Sequence, residues 1–181
     1  MSDSAKEPFA FLALGRLVDG DLELVLVERM PADPAKGRVP QYQFEMRRPG
    51  SPEAMGTIRL RIASARTLRE AGHIGYWVAE EHRGHRYAAR SCQLLLPLAR
   101  AHGLKAVWLT VDPHNGPSLK TCRIVGAKWV DTVRLPKDHP MYAQGARYRR
   151  RFRLGLTKMK RTEGSVAGVE NVPRSNVIED C

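Results

Sequence analysis

The stretch His73–Arg90 constrains the fold more than any other part of the sequence, because its apolar period changes within it. Ile74, Tyr76 and Val78 alternate with their neighbours at the two-residue period of a strand. From Ala88 onward the apolar residues recur at helical spacing. A short basic segment with a glycine separates the two patterns. The sequence therefore predicts a strand, a loop and a helix in direct succession.

The loop of this unit has the composition of an anion-binding site. Unpaired N–H groups at a helix N-terminus attract negative charge, and a glycine lets the backbone approach an anion closely. We therefore expect a phosphate to bind here, and the candidate residues are Arg83, Gly84, His85, Arg86, Tyr87 and Ala88. An ordinary strand–turn–helix unit with a solvated basic turn explains the same composition equally well.

A second candidate segment follows the strongly apolar strand predicted for Lys105–Val111. Asn115 can cap a helix, Pro117 suits its first turn, and Gly126 can end it. The simplest interpretation is a short capped helix with a glycine stop. Ser118, three residues after Asn115, is a further candidate for ligand contact.

The charge balance indicates a preference for anionic partners. The 181-residue chain carries 30 Lys and Arg against 19 Asp and Glu, a net charge of +11. Such a charge suits nucleic acid, a membrane surface or a polyanionic cofactor. The three cysteines form no CxxC pair, which argues against a disulfide framework and a zinc site. We expect no bound metal. With no membrane-length apolar run and no basic signal-peptide start, the expected location is the cytoplasm.

The chain divides into a loose leader (1–8), a single domain (9–156) and a tail (157–181) that we expect to be disordered. Prolines allow at most one helical turn between residues 31 and 40. The predicted strands cover 22–28, 41–47, 56–62, 73–78, 105–111, 128–134 and 147–156, and the predicted helices cover about 87–102 and 115–125. A hairpin of the second and third strands is the simplest arrangement.

Both candidate segments resemble motifs of the GNAT superfamily of N-acetyltransferases. The segment 83–88 is similar to that family's acyl-CoA pyrophosphate loop, Q/R-x-x-G-x-G/A, and residues 115–126 are similar to its N-x-x-S/A-x-x-x-Y-x-x-x-G-F pattern. The resemblance covers roughly 22–156 and looks like a bacterial branch of predicted acetyltransferases. It implies an α/β (α+β) fold with a mixed, mostly antiparallel sheet, splayed central strands and flanking helices.

The resemblance also implies an activity: an acetyl group moves from acetyl-CoA, the cosubstrate, to a primary amine by direct attack in a ternary complex. It implies that the backbone N–H of Val78 polarises the thioester carbonyl and that Asn115 and Ser118 hold the pantetheine arm. Two residues depart from the family pattern. Arg86 replaces the second loop glycine, which a phosphate loop can accept if φ is negative there, and Cys122 replaces the tyrosine that commonly acts as general acid.

The residues that move protons are less clearly indicated by the sequence. The candidates near the predicted splay are His73, Tyr76 and Glu80. The histidine has the most suitable intrinsic pKa for a general base. Cys122 could donate a proton weakly, although a buried structural role suits a cysteine at this position better. His139 and Tyr142, in the loop before the last strand, could line the acceptor site.

Two other functions are compatible with the sequence. The run 147–153 interleaves arginines with aromatic residues, as nucleic-acid-binding surfaces do. An edge or terminal strand with arginines facing water explains it more simply, so nucleic acid is not the expected partner. A GNAT-like domain could also bind CoA as a sensor without catalysis. The identity of the amine acceptor stays open, and a homodimer is allowed.

Overall fold

The computed structural model describes residues 9–156, which form two antiparallel sheets flanked by helices. The leader and tail expected from the sequence lie outside the described residues. The strands are β1 (Leu17–Asp19), β2 (Leu22–Met30), β3 (Gln41–Arg47), β4 (Ala54–Arg61), β5 (Ile74–Val78), β6 (Ala106–Val111), β7 (Lys128–Arg134) and β8 (Tyr148–Gly155). The helices are α1 (Tyr87–Ala101), α2 (Gly116–Ile124) and the four-residue α3 (Pro140–Ala143), and 3-10 turns cover Pro34–Lys36 and Glu80–His82.

The larger sheet is a meander of five strands in the order β1-β2-β3-β4-β5, every neighbouring pair being antiparallel. Its core face is set by the alternation in β3, where Tyr42, Phe44 and Met46 are completely buried. Phe44 lies opposite Ile58 in β4, which confirms the predicted hairpin. Burying one such side chain stabilises the fold by about 1.5–3 kcal/mol, so this face fixes the register of the sheet.

Helix α1 contributes its own apolar face to the same core. Cys92, Leu95, Leu98 and Ala99 are buried at the 3.6-residue spacing of one helical face. The helix ends before Gly103, whose φ of +77° is the left-handed conformation that a glycine adopts readily. The predicted extent of this helix is therefore confirmed.

The smaller sheet has the order β6-β8-β7, so β8 is its middle strand. The expectation of an edge strand was therefore wrong, because β6 pairs with one edge of β8 and β7 pairs with the other. The strand is the last one in the described part of the chain, and three arginines of the run, Arg147, Arg150 and Arg153, are exposed as expected. Arg149 donates to the carbonyl oxygen of Thr110 at 2.8 Å. Arg151 donates to Asp131 Oδ2 at 3.1 Å and lies over the Trp108 ring at 4.4 Å. Two arginines of the run are thus engaged within the sheet.

The two sheets are joined at one point and separate beyond it. The N–H of His73 donates to the carbonyl oxygen of Trp108 at 2.7 Å. The Trp108 N–H in turn donates to His73 Nδ1 at 3.1 Å, and His73 Nε2 donates to the Ala63 carbonyl oxygen at 3.0 Å. From there β5 and β6 belong to different sheets. The predicted splay between the central strands is confirmed.

Candidate functional site

A cleft of about 720 Å³ opens where the two sheets separate. Its walls are the end of β5, the loop that follows, the first turn of α1 and one side of α2 along its whole length. The lining residues are Tyr76, Trp77, Val78, His82, Arg83, Gly84, Arg86, Tyr87, Ala88, Asn115, Gly116, Pro117, Ser118, Lys120, Thr121 and Ile124. The strand–loop–helix unit and the second candidate segment of the sequence therefore meet at one site.

The charged side chains that line the cleft are all basic. Arg83, Arg86, Lys120 and His82 contribute basic side chains to its walls, and within residues 9–156 no Asp or Glu lines it. A cleft lined by one sign of charge focuses its potential and concentrates counter-ions. The site is therefore suited to a ligand that carries several negative charges.

The N-terminus of α1 has free N–H groups that can bind an anion. A helix leaves its first N–H groups without intrahelical partners, and at α1 no side chain caps them. Gly84, in the loop before the helix, has a φ of +90°, and an added Cβ there would meet no atom within 4 Å. The glycine is required by its backbone conformation, and the loop above it is open for a ligand to approach.

Arg86, the residue that precedes α1, has a φ of +60°. It is the one non-glycine residue with a positive φ in the described part of the chain. The condition of a negative φ, under which the loop accepts Arg86 in place of glycine, is therefore not met. The chain needs a left-handed residue to enter α1 from this direction, which is the conformation that a glycine adopts without strain.

A polar network anchors the start of α1 to the turn between β1 and β2. The Tyr87 hydroxyl donates to Asp21 Oδ2 at 2.7 Å, and Arg90 Nη1 donates to Asp21 Oδ1 at 2.7 Å. The hydrogen bonds from Tyr87 and then from Arg90 lower the pKa of Asp21 to about 2. His85 stacks on the Tyr87 ring at 5.4 Å and does not line the cleft. Of the predicted loop residues, His85 alone supports the loop from outside.

Helix α2 is capped by its own side chain, in contrast to α1. Asn115 Oδ1 accepts a hydrogen bond from the Ser118 N–H at 3.0 Å, which is the usual role of a capping asparagine. Both residues line the cleft, and their contact with a pantetheine arm stays a prediction. In α2 a side chain accepts the hydrogen bond of one free N–H group, whereas in α1 no side chain does so. The first turn of α1 is therefore the better place for a phosphate.

Val78 brings a backbone N–H to the inner end of the cleft. The Ala79 N–H donates to the Met55 carbonyl oxygen at 2.9 Å, toward β4. Successive residues of a strand direct their backbone groups to opposite sides, so the Val78 N–H faces away from β4 and toward the splay. The Val78 carbonyl oxygen accepts a hydrogen bond from Arg83 Nε at 3.2 Å, on the same side.

Two of the four catalytic candidates are buried away from the cleft. His73 is 1% exposed, with both ring nitrogens hydrogen-bonded as described above, and burial lowers its pKa. It joins the sheets and is not placed to take a proton from a ligand. Cys122 is buried in the core on the inner side of α2, and burial raises the pKa of its thiol to about 11. Neither residue lines the cleft.

Three further candidates lie outside the cleft wall. Glu80 is exposed in the 3-10 turn that follows β5, and it does not line the cleft. His139 Nδ1 accepts the N–H of Met141 at 3.2 Å, as the cap of α3. Tyr142 lies 3.9 Å beneath the guanidinium of Arg147. Each of these side chains is therefore placed away from the walls around the Val78 amide.

Tyr76 is the one catalytic candidate that lines the cleft. Its side chain reaches from β5 toward α2, and its hydroxyl oxygen is buried without a hydrogen-bond partner among the described residues. Burial raises the pKa of Tyr76 to about 12. The Ser118 and Thr121 side chains lie close enough to oppose this shift, although neither completes a hydrogen bond to the hydroxyl.

Sequence reasoning missed several residues of the cleft wall. Trp77, 57% exposed, and His82 stand beside the predicted loop. On α2 the missed residues Lys120 and Thr121 lie four and three positions before Ile124, and such spacings bring side chains together on one side of a helix. That spacing, counted from the predicted cap at residue 115, was a signal that could have identified them.

Comparison with known proteins places this site in a family. A family model for the acetyltransferase (GNAT) domain matches residues 25–128, more than half of the chain. The chain belongs to the GNAT acetyltransferase family. The matched span of this GNAT domain contains the cleft described above, from β5 to the end of α2. No curated protein matches the sequence significantly.

Solved structures share the fold of this GNAT domain at low identity. A Vibrio cholerae protein assigned as a ribosomal-protein-serine acetyltransferase has a TM-score of 0.56 at 16% identity, covering 78% of this chain and 97% of its own. Ribosomal-protein-S5-alanine acetyltransferase from Vibrio fischeri has a TM-score of 0.53 at 18% identity, with 67% and 64% covered. The microcin C7 self-immunity acetyltransferase, solved with acetyl-CoA and AMP, has a TM-score of 0.51 at 14% identity, with 64% and 61% covered. The match thus spans less than two thirds of the microcin enzyme's length.

Within residues 9–156 no group of three or more His, Cys, Asp or Glu side chains could hold a metal ion. Nor is any helix in this range long and apolar enough to cross a membrane.

Proposed function

We propose that this GNAT domain is an acetyl-CoA-dependent N-acetyltransferase that moves the acetyl group to a primary amine by direct attack in a ternary complex. One observation carries the proposal: the uncapped N-terminus of α1 opens into a basic cleft that leads to the Val78 amide. A ligand with phosphates at one end and a reactive carbonyl at the other matches both ends of this cleft.

The pyrophosphate of acetyl-CoA would lie on the backbone of residues 83–88. The free N–H groups of α1 donate to it, and the guanidinium groups of Arg83 and Arg86 add positive charge. The pantetheine arm then follows the cleft between β5 and α2, past Asn115 and Ser118. This orientation directs the thioester toward the splay of the two sheets.

The Val78 N–H would act on the thioester carbonyl. A donor held in place before the reaction stabilises the oxyanion of the tetrahedral intermediate, and one such donor contributes roughly 3 kcal/mol. Placing the amine beside the carbonyl contributes several kcal/mol more by proximity. Both effects come from the backbone and the shape of the cleft, so they do not require a particular side chain.

The comparisons support the cosubstrate. The microcin C7 self-immunity acetyltransferase was solved with acetyl-CoA. A ribosomal L7/L12 alpha-N-protein acetyltransferase, 15% identical to this chain with a TM-score of 0.50, was solved with coenzyme A. We propose a cytoplasmic location as well, since Cys92 and Cys122 are free thiols and free thiols suit a reducing compartment. The homodimer stays a prediction.

Isothermal titration with acetyl-CoA tests the site. In Gly84→Val, a β-branched residue cannot adopt a φ of +90° without strain, and we expect acetyl-CoA to bind at least tenfold more weakly, about 1.4 kcal/mol. Gly103→Val is the matched control: its φ is +77°, it also has open space around it, and it lies at the other end of α1. Equal affinity in both folded variants would show that the loop has been misassigned.

Thiol release from acetyl-CoA over a panel of polyamines, amino acids and peptides with free N-termini tests the activity. Release that depends on one class of amine supports the transferase. Acetyl-CoA binding without release on any amine would indicate a CoA-binding sensor instead. A nucleic-acid function is not proposed, because Arg149 and Arg151 are engaged within the sheet.

A further inference from the structure

A second, smaller cavity of about 360 Å³ opens between α2 and the smaller sheet. Six residues of α2, β7 and β8 line it, namely Leu119, Arg123, Trp129, Thr132, Arg150 and Phe152. None of these residues lines the cleft. Leu119 and Arg123 lie four positions apart and therefore on one side of α2, while the cleft uses other positions of the helix. We call the smaller cavity the α2–β7 groove.

The register of β7 and β8 places an exposed aromatic side chain beside an apolar floor. Trp129 lies opposite Phe152, and Thr132 lies opposite Arg150. Opposed residues of paired strands have their side chains on the same face of the sheet, so all four belong to the groove. Phe152 is buried, whereas Trp129 is 61% exposed. Tryptophan is enriched at the centres of protein interfaces, and an exposed one at an apolar cavity indicates a surface that another molecule covers.

The groove also carries positive charge without a matching acid. Arg123 and Arg150 are both exposed, and the ion pairs among residues 9–156 include neither of them. Across α2, β7 and β8 the single acidic residue is Asp131. Its carboxylate pairs with Arg151 at 3.1 Å, on the face of the sheet opposite to Arg150, since adjacent residues of a strand alternate. A partner that bears carboxylates would supply the missing counter-charge.

Two other occupants fit the groove less well. In an isologous dimer the same patch meets itself, so a second copy would bring Arg123 and Arg150 against their own like charges. A nucleic-acid strand needs a row of cations along its backbone. The neighbouring arginines of β8, Arg149 and Arg151, instead donate hydrogen bonds within the sheet. The groove concentrates two cations around one apolar pocket, which fits an acidic peptide segment better.

We propose that the α2–β7 groove docks an acidic protein segment that carries one large apolar side chain. The apolar side chain packs against Trp129 and Phe152, and flanking carboxylates pair with the guanidinium groups of Arg123 and Arg150. The volume of the groove is close to the lower limit of ligand pockets, roughly 300 Å³, which is room for such an anchor. The docking is independent of the proposed acetyl transfer, because it uses no residue of the cleft.

Isothermal titration of the full chain with a blocked heptapeptide, six glutamates around a central phenylalanine, tests the docking. We expect a dissociation constant below about 100 µM at low salt and weaker binding at high salt. Trp129→Ala and Arg150→Gln should each weaken binding by roughly tenfold. The matched controls are Trp77→Ala, an exposed tryptophan of the cleft, and Arg153→Gln, an exposed arginine on the opposite face of β8. Both controls should bind the peptide as wild type does.

Two further titrations locate the peptide and its anchor. Saturating CoA, which would fill the cleft, should leave the affinity for the peptide unchanged. Replacing the central phenylalanine of the peptide by alanine should weaken binding by roughly tenfold. Trp129→Ala and Arg150→Gln change exposed side chains, so both variants should melt at the wild-type temperature.

Several outcomes would overturn the docking proposal. They are absence of peptide binding, wild-type affinity in the folded Trp129→Ala and Arg150→Gln variants, and displacement of the peptide by CoA. A ten-nucleotide uridine RNA that binds more tightly than the peptide, and depends on Trp129, would assign the groove to nucleic acid. A dimer in light scattering that Trp129→Ala dissociates would assign it to a second copy. The acetyl-CoA titrations and the amine panel decide the proposed function separately.

Discussion

Replacing Arg86 by glycine separates two effects that the wild-type residue combines. At a φ of +60°, an ordinary L-residue is strained by about 1–2 kcal/mol, which glycine avoids. Glycine loses more backbone entropy on folding, about 0.5–1 kcal/mol. The net expectation is that Arg86→Gly is more stable than Arg86→Ala by about 0.5–1 kcal/mol, since both lose the same exposed side chain and only alanine keeps the strain. For a domain of this size this difference corresponds to roughly 1–4 °C in melting temperature.

The affinity for acetyl-CoA should fall in both variants, whereas the stability of Arg86→Gly should rise. Both variants remove one guanidinium from the wall of a cleft that has no carboxylate among the described residues. Loss of one exposed cation near the phosphates should weaken binding by roughly threefold to tenfold in either variant. The loss should be smaller at high salt, where exposed charges are screened.

Thermal melts followed by circular dichroism measure the stability of each variant, and titrations with acetyl-CoA at two salt concentrations measure its affinity. We expect Arg86→Gly to be more stable than wild type and to bind acetyl-CoA more weakly. We expect Arg86→Ala to bind acetyl-CoA more weakly without a gain in stability. Equal melting temperatures for Arg86→Gly and Arg86→Ala would refute the strain at this position. Wild-type affinity in both variants would refute the phosphate-binding role of its side chain.

Further expectations concern the interior and the α1 anchor. Cys122→Ala should lower turnover by less than tenfold, because its thiol does not line the cleft; a hundredfold loss at normal acetyl-CoA affinity, about 2.7 kcal/mol, would make Cys122 the acid instead. His73 has a folded-state pKa below its ordinary 6.5, so the unfolded chain binds more protons and stability should fall as pH drops below that value. Thermal melts of His73→Gln should show a weaker dependence on pH between 8 and 5.5. Tyr87→Phe should raise the pKa of Asp21 from about 2 toward 3.8, which a carboxyl NMR titration detects; in wild type the stabilisation is present above about pH 4 and lost toward pH 2.

Much of the fold could be predicted from local patterns. The strand at 41–47 was predicted to the residue because Tyr42, Phe44 and Met46 alternate over a complete strand with one buried face. The three-residue β1 and the four-residue α3 were missed, because neither is long enough to show a period. The middle position of β8 depends on pairing with β6, about forty residues away in sequence, and a local pattern carries no information about such a partner.

The residues of the candidate site also differ in whether local sequence or distant packing decides their role. Gly84, Asn115 and Ser118 were predictable because turn, cap and spacing are local properties, and the structure places all three in the cleft wall. His73 and Cys122 have suitable chemistry in the sequence, but their burial is decided by elements that pack from elsewhere. The positive φ of Arg86 was likewise not predictable, since it depends on the direction in which the chain enters α1.

The features that would hold the cofactor lie at the end of the cleft away from the reacting carbon. Under the proposed function, the α1 N-terminus and the loop arginines would contact the phosphate groups, which acetyl-CoA and CoA have in common. Under the proposed function the spent product would therefore occupy the site about as tightly as the substrate, and would compete with it. The rate in the cell would then follow the ratio of acetyl-CoA to free CoA more closely than the concentration of either, so the metabolic state of the cell would govern the enzyme without a separate regulatory site.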